Sequence, residues 1–219
     1  MATKELGLLY RRSSSFTPVA YSDADWAGDA KDARSTSGCV IMLSSAAVVW
    51  HCRKQNTVSL SSSEAEYVAC SEAAREVMWL RSFLIELEHP QKDATTLRVD
   101  NTTAILMATD DGNAARRKHI NVKHHYIRSL INMNEIKLEW VETAEQFADI
   151  FTKPLSIQVF SYLRACVMGH DGRDHQAMVA QADTDASDSA ASDADSESSE
   201  ASDDSSSTSS SVSLIELPQ

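Results

Sequence analysis

This chain of 219 residues has no C-x-x-C pair, no apolar run long enough to cross a bilayer, no signal-peptide core and no internal repeat. Its four cysteines, Cys39, Cys52, Cys70 and Cys166, are scattered. That spacing excludes a zinc site built on paired thiolates and points to free thiols in a reducing compartment. The longest apolar stretch, Cys39 to Trp50, is broken by Ser44 and Ser45 and falls short of the roughly 20 residues a membrane helix needs. The opening MATKELGLLY lacks the apolar core of a secretory leader. His119, His124 and His125 lie at offsets that do not put two imidazoles on one helical face, which argues against zinc there as well.

Charge of one sign is missing from one region only. The formal net charge is −12, yet residues 170–219 hold 12 of the 32 acidic residues and a single basic one. Residues 1–169 are therefore within one charge of neutral. The stretch QADTDASDSAASDADSESSEASDDSSSTSSS is nearly all Ser, Asp, Ala and Glu. It cannot bury enough apolar surface to offset the entropy of ordering, so a disordered acidic tail is expected over 170–219. It reads either as an interaction segment for an unknown partner, with serines placed for an acid-directed kinase, or as a neutral extension.

The remainder carries regular patterns. Residues 17–26, 37–43 and 46–52 read as strands, the last two joined as a hairpin at Ser44–Ser45. Positions 66, 70, 73, 77, 80, 84 and 87, apolar except for Glu66, then mark a helix of some 25 residues, closed by His89 and Pro90. A strand over 95–101, a short helix over 102–109, a basic turn ARRKH, a helix over 120–135 and a strand over 136–142 follow. AEQFADIFTK (144–153) reads as a helix stopped by Pro154, and an amphipathic piece over 156–168 ends at Gly169. A strand meander followed by alternation implies a mixed sheet with helices on its faces.

Four carboxylates stand where charge is costly. Asp23 shares a strand face with Val19 and Tyr21. Glu66 opens the apolar stripe of the long helix, where the macrodipole also favours an acid. Asp100 ends the strand TLRVD, a position equally suited to capping the next helix. Asp149 lies among Phe147, Ala148, Ile150 and Phe151. Glu64, three residues after Ser61, fits a capping box instead. If the sheet brings the four together, their repulsion demands cations between them. Hard divalent ions with oxygen ligands meet that demand, and two of them about 3.5–4 Å apart activate water and stabilise a leaving oxygen in phosphodiester cleavage.

The motifs YSDADWAGD (21–29), RSTSGCV (34–40), SLSSSEAEYVACSEAAREVMWLR (59–81), VDNTTAI (99–105), RKHINVKHHYIR (117–128) and QFADIFTKPL (146–155) resemble, in order, the ribonuclease H domain of copia-type retrotransposon Pol polyproteins. GLLYRRSSS (7–15) resembles the segment joining reverse transcriptase to that domain. The resemblance implies an α/β ribonuclease H-like fold over 16–169, a mixed five-stranded sheet with flanking helices, preceded by a connection remnant over 1–15. It implies Mg²⁺-dependent cleavage of the RNA strand of RNA–DNA hybrids, with two ions (Mn²⁺ a substitute) held by Asp23, Glu66, Asp100 and Asp149. Asp25 and Glu64 belong to the pattern but are not primary ligands. The family's cellular relatives place a His before the last acid. Here VETAEQFAD has none, leaving Glu142, Glu145 or water in its place. The reverse transcriptase and integrase expected on either side are not present, so the chain reads as a fragment or derivative of an element, cytoplasmic in a virus-like particle or nuclear.

A face for the hybrid should be basic and polar. Ser62, Asn101, Arg116, Arg117, Lys118, Lys123 and Arg128 are the expected contacts, with Arg53, Lys54 and Gln55 after the third strand. Two rivals remain. An aspartyl phosphatase also uses D-x-D after a strand but wants Thr or Val where Ala27 stands. A catalytically silent interaction protein of retroelement origin would fit the acidic tail.

Overall fold

Alternation of apolar residues on both sides of the central strands dictates a sheet covered on two faces. A computed structural model of the chain describes residues 6–12, 16–109 and 121–170. The expected basic turn at 116–119 and the acidic tail after 170 lie outside the described residues. Strands β1 (Val19–Asp25), β2 (Thr36–Leu43) and β3 (Ala46–Lys54) form the meander. Helix α1 (Ser62–Glu86) leads to β4 (Thr95–Val99), α2 (Thr102–Thr109), α3 (Asn121–Asn132), β5 (Ile136–Trp140) and α4 (Ile157–Val167). The sheet order is β3-β2-β1-β4-β5. β1, β2 and β3 are antiparallel, whereas β1, β4 and β5 run parallel. This is the ribonuclease H-like mixed sheet that the motifs imply.

Period-two alternation sorts the side chains. Ala20, Cys39, Ile41, Leu97, Val99 and Ile136 face the core shared with α1, α2 and α3. Tyr21, Val40 and Ala47 face the opposite core, closed by Val141, Ala148 and Val167. The β2–β3 hairpin turns on Ser44 and Ser45, both with positive φ, the two-residue geometry whose twist matches the strands. Among the described residues no helix is long and apolar enough to cross a membrane. Cys39, Cys52, Cys70 and Cys166 are free thiols.

Helix α1 begins as its capping signal predicts: Glu64 N–H donates to Ser61 Oγ at 3.1 Å, and Glu64 Oε2 accepts from Leu60 N–H at 2.8 Å. It ends in a Schellman-type closure. His89 N–H reaches Leu84 O at 2.8 Å across Glu88, which holds φ +64° in the position usually given to glycine. Glu66, Cys70, Ala73, Val77, Leu80 and Leu84 of the predicted stripe are buried. Leu87 is not: it is the C-cap, past the last turn, and is 51% exposed.

One further expectation is corrected. AEQFADIFTK forms two 3₁₀ turns, Thr143–Glu145 and Phe147–Phe151, in place of an α-helix. The Gln146 carbonyl side chain accepts from Ala148 N–H, and its amide donates to Ser22 O of β1 at 3.1 Å, so the segment is pinned to the sheet before a full α-turn can form. Residues 7–12, within the segment read as a connection remnant, are hydrogen-bonded to the rest of the domain. Leu9 N–H donates to Met168 O at 2.8 Å, Arg11 N–H to Ser44 O at 3.2 Å and Tyr10 Oη to Ala47 O at 2.6 Å. Gly169 permits this approach: its φ is +83°, and a Cβ there would stand 2.2 Å from Leu9 O.

The 3₁₀ turn Phe147–Phe151 packs directly over Gly38 of β2. A Cβ at Gly38 would lie 2.6 Å from Thr152 Cγ2 and 2.9 Å from Ala148 O. Gly38→Ala is therefore expected to lower stability by about 1–3 kcal/mol, the usual effect of overpacking. Gly7→Ala, with nothing within 4 Å, should be neutral. Thermal unfolding of both variants checks this, and equal melting temperatures would show that the turn does not need the bare backbone.

Candidate metal centre

Two parallel neighbours set the frame of the site. Tyr21 of β1 pairs with Arg98 of β4. Continuing that register by two residues puts Asp23 beside Asp100, at the carboxyl ends of adjacent strands, where open α/β sheets carry their sites. The first turn of α1 crosses here and delivers Glu66. One carboxylate oxygen from each of Asp23, Glu66 and Asp100 lies within 4.8 Å of the others. Asp23 is wholly buried, and Glu66 and Asp149 nearly so.

Asp149 joins this group through a cation that the sequence patterns did not single out. Lys153 Nζ lies 3.1 Å from Asp23 Oδ1 and 3.0 Å from Asp149 Oδ1. The backbone turn that makes this bridge is itself fixed: the N–H groups of Thr152 and Lys153 both donate to Asp149 O at 3.1 Å. Thr152 Oγ1 donates to Asp23 Oδ2. Thr143 Oγ1 donates to Asp100 Oδ2 at 3.4 Å, and Trp140 Nε1 to Asp100 O at 3.2 Å. Lys153 stands four residues after Asp149 within FTKPL, and that spacing was the only available signal for it. Gln146, Thr152 and Gly38 gave none.

The electrostatics follow from burial and crowding. Burial, then the Asp23 and Asp100 carboxylates, push the Glu66 carboxyl far above the usual range. Burial and Asp23 likewise raise Asp149 and Asp100, against the opposing pull of Lys153. Burial disfavours the charge on Lys153, but Asp23 and Asp149 outweigh it and keep the ammonium protonated beyond the ordinary lysine range. Asp23 Oδ1 is buried against the Lys153 ammonium, and Glu66 Oε2 is buried without a hydrogen bond. Buried polar atoms are seldom left so. Oxygen-only donors, crowded and unsatisfied, fit a hard divalent cation.

The other expected residues fall into three groups. Asn101, and not Asp100, caps α2: its Oδ1 accepts from Ala104 N–H at 3.0 Å, while its Nδ2 reaches Ser63 Oγ at 3.5 Å. Asp100 is thereby released from capping. Ser62 is exposed at the start of α1, and Arg128 Nε donates to Ala108 O at 3.5 Å. Arg116, Arg117 and Lys118 lie outside the described residues. Lys123 lies in α3 with its side chain outside them. Gln55 is removed from the list of contacts. It is buried, donating to Ser37 Oγ and Ala65 O and accepting from Ser59 Oγ. Arg53 pairs with Glu76, and Lys54 with Asp29 and Asp32. In the loop that lacks histidine, Glu145 accepts from Tyr162 Oη and Glu142 is exposed.

No family model matches the chain. It is 34% identical over 158 residues to the retrovirus-related Pol polyprotein from transposon RE2 of Arabidopsis thaliana, covering 72% of this chain and 11% of that protein. It is 35% identical over 150 residues to the Pol polyprotein from transposon TNT 1-94 of Nicotiana tabacum, covering 68% and 11%. The aligned stretch is thus a small part of these relatives. Among solved structures, LC11-RNase H1 in complex with an RNA/DNA hybrid aligns at 12% identity with a TM-score of 0.47, covering 62% of this chain and 94% of that one. Kinship in sequence over most of the folded part, joined to the β3-β2-β1-β4-β5 sheet, places the chain in the copia-type retrotransposon Pol family, at its ribonuclease H region.

Proposed function

We propose that residues 16–169 form a metal-dependent endonuclease that cleaves the RNA strand of RNA–DNA hybrids. Asp23, Glu66, Asp100 and Asp149 are its ligands for two Mg²⁺ ions, with Mn²⁺ able to substitute. The observation that carries this reading is the clustering of buried Asp23 and Glu66 with half-buried Asp100 within 4.8 Å, an arrangement that destabilises the fold unless a cation enters it. Paired divalent ions, when bound, activate a water and stabilise the leaving oxygen of a phosphodiester. The chain's own groups supply the positioning: Thr152 orients Asp23, Thr143 orients Asp100, and Gln146 ties the Asp149 turn to β1.

Ser62, Asn101, Arg116, Arg117, Lys118, Lys123 and Arg128 are assigned to the hybrid, through phosphates and 2′-hydroxyls. Ser62 and Asn101 adjoin the carboxylates in sequence and carry polar groups able to face a scissile strand. The reverse transcriptase and integrase regions of a parent polyprotein are the covalent neighbours this reading supplies.

Two experiments test the proposal. Wild-type protein should cut the RNA strand of a labelled hybrid in Mg²⁺ and stop when EDTA is added. Asp23→Asn should lose at least about 100-fold in rate, since even supporting residues of metal ligands are worth 10–100-fold. Undiminished cleavage by Asp23→Asn would rule the site out.

The second is a stability measurement. Glu66 has a folded-state pKa raised above its ordinary 4.5. Its contribution to stability is therefore full below pH 4.5 and is lost as pH rises beyond it through neutrality. Metal-free protein should melt lower at pH 8 than at pH 6 by an amount that Glu66→Gln reduces. Saturating Mg²⁺, at about 100 times its Kd, should add about 2.7 kcal/mol, or roughly 5–10 °C, and more at pH 8 than at pH 6. A Mg²⁺ shift independent of pH and of Glu66→Gln would contradict the assignment of Glu66 as a ligand.

A further inference from the structure

Lys153 occupies the space between two carboxylates assigned to metal. Its ammonium touches Asp23 Oδ1 and Asp149 Oδ1, both on side chains that are 0% and 6% exposed, while its own side chain is 32% exposed. Those two oxygens cannot both serve an ammonium and a divalent ion at contact distance. The cations would stand within a few ångströms of each other in a site with little water, where repulsion is weakly screened. Asp23 cannot turn away to serve both, because Thr152 holds its Oδ2. Lys153 can move: its stem has four rotatable carbons, and its exposed side opens to solvent. Within the Asp23–Glu66–Asp100 trio Lys153 pairs with Asp23 alone, so the ammonium meets that half of the site at one carboxylate and the Asp149 half at two.

We propose that Lys153 is a tethered counter-cation: it holds Asp23 and Asp149 together while their shared position is free of metal, and it withdraws when a divalent ion binds there. This rests on the reading of the carboxylates as metal ligands. It orders the two binding events. The ion at Asp23, Glu66 and Asp100 meets Lys153 at one of its ligands, whereas the ion shared with Asp149 must compete with it at two. Lys153 is thus a positioning residue that sets the weaker of two metal affinities and keeps the metal-free fold intact.

The test uses the full chain and needs no activity. Lysine acylation by a limiting dose of acetic anhydride, read by mass spectrometry, is compared without and with saturating Mg²⁺. Lys153 should become roughly five- to tenfold more reactive in Mg²⁺ as its two partners release it. Lys137, paired with the exposed Glu139, should not change. In parallel, calorimetry on Lys153→Met should show the weaker Mg²⁺ site tightened roughly tenfold, with a lower melting temperature in EDTA. If Mg²⁺ binds and raises the melting temperature but leaves Lys153 reactivity unchanged, the counter-cation inference fails and the metal reading stands. If Mg²⁺ neither binds nor stabilises, the metal reading itself fails and takes the inference with it. The acylation readout is on the wild type, so poor folding of Lys153→Met does not blunt it.

Discussion

A fully buried carboxylate in the middle of a sheet is the constraint around which this molecule is arranged. Asp23 has no exposed surface, with β2 on one side and β4 on the other. A lone charge there would be far more costly than the net stability of a typical domain. Each neighbour answers that demand. Thr152 donates to one oxygen and Lys153 pairs with the other. The turn bearing both residues can lie this close only because β2 offers Gly38 opposite Asp23. Gln146 then staples the same turn to Ser22, the residue before Asp23.

The compensation is incomplete, and that incompleteness is informative. Lys153 pairs directly with Asp23 and Asp149 and acts on Glu66 and Asp100 only at longer range, and Glu66 Oε2 remains buried without a hydrogen bond. A domain under selection for stability alone would not retain such an atom, because most sites tolerate a less costly residue. Retaining it makes sense where a ligand completes the set. The raised proton affinities of Glu66, Asp100 and Asp149 describe the same deficit: in the absence of a cation, a proton is the next positive charge available.

Much of this was legible in the sequence because charge on an apolar face is conspicuous. Asp23, Glu66 and Asp149 each broke a hydrophobic pattern, and the fold could only bury them together. The strand meander and the long helix declared themselves through period and capping. What stayed hidden involved tertiary override. AEQFADIFTK has helical amphipathicity, but Gln146 and the contact over Gly38 draw it into 3₁₀ turns, and only that geometry brings Lys153 back over Asp23. Asp100 and Asn101 are adjacent and both are good helix caps, so the choice between them was undetermined until Asn101 took the cap. Gln55 follows a basic pair and looked like a surface contact, yet its amide satisfies three groups inside the fold. No pattern in one dimension distinguishes a buried glutamine from a solvated one.

The same register that builds the site also separates it from the hairpin end of the sheet. In the β1–β2 pair Asp23 faces Gly38, whereas Val19, at the other end of β1, faces Met42, next to the Ser44–Ser45 turn. Residues 7–12 dock at that turn and on the end of α4, and His170 Nε2 lies 3.1 Å from Gly7 O. Residues 7–12 and the end of α4 therefore meet at the end of the strands opposite the carboxylates. The parallel pairing of β1 with β4 is responsible for both features. It aligns Asp23 with Asp100 at the carboxyl ends of the strands, and leaves the opposite end of β1 to the hairpin turn and residues 7–12.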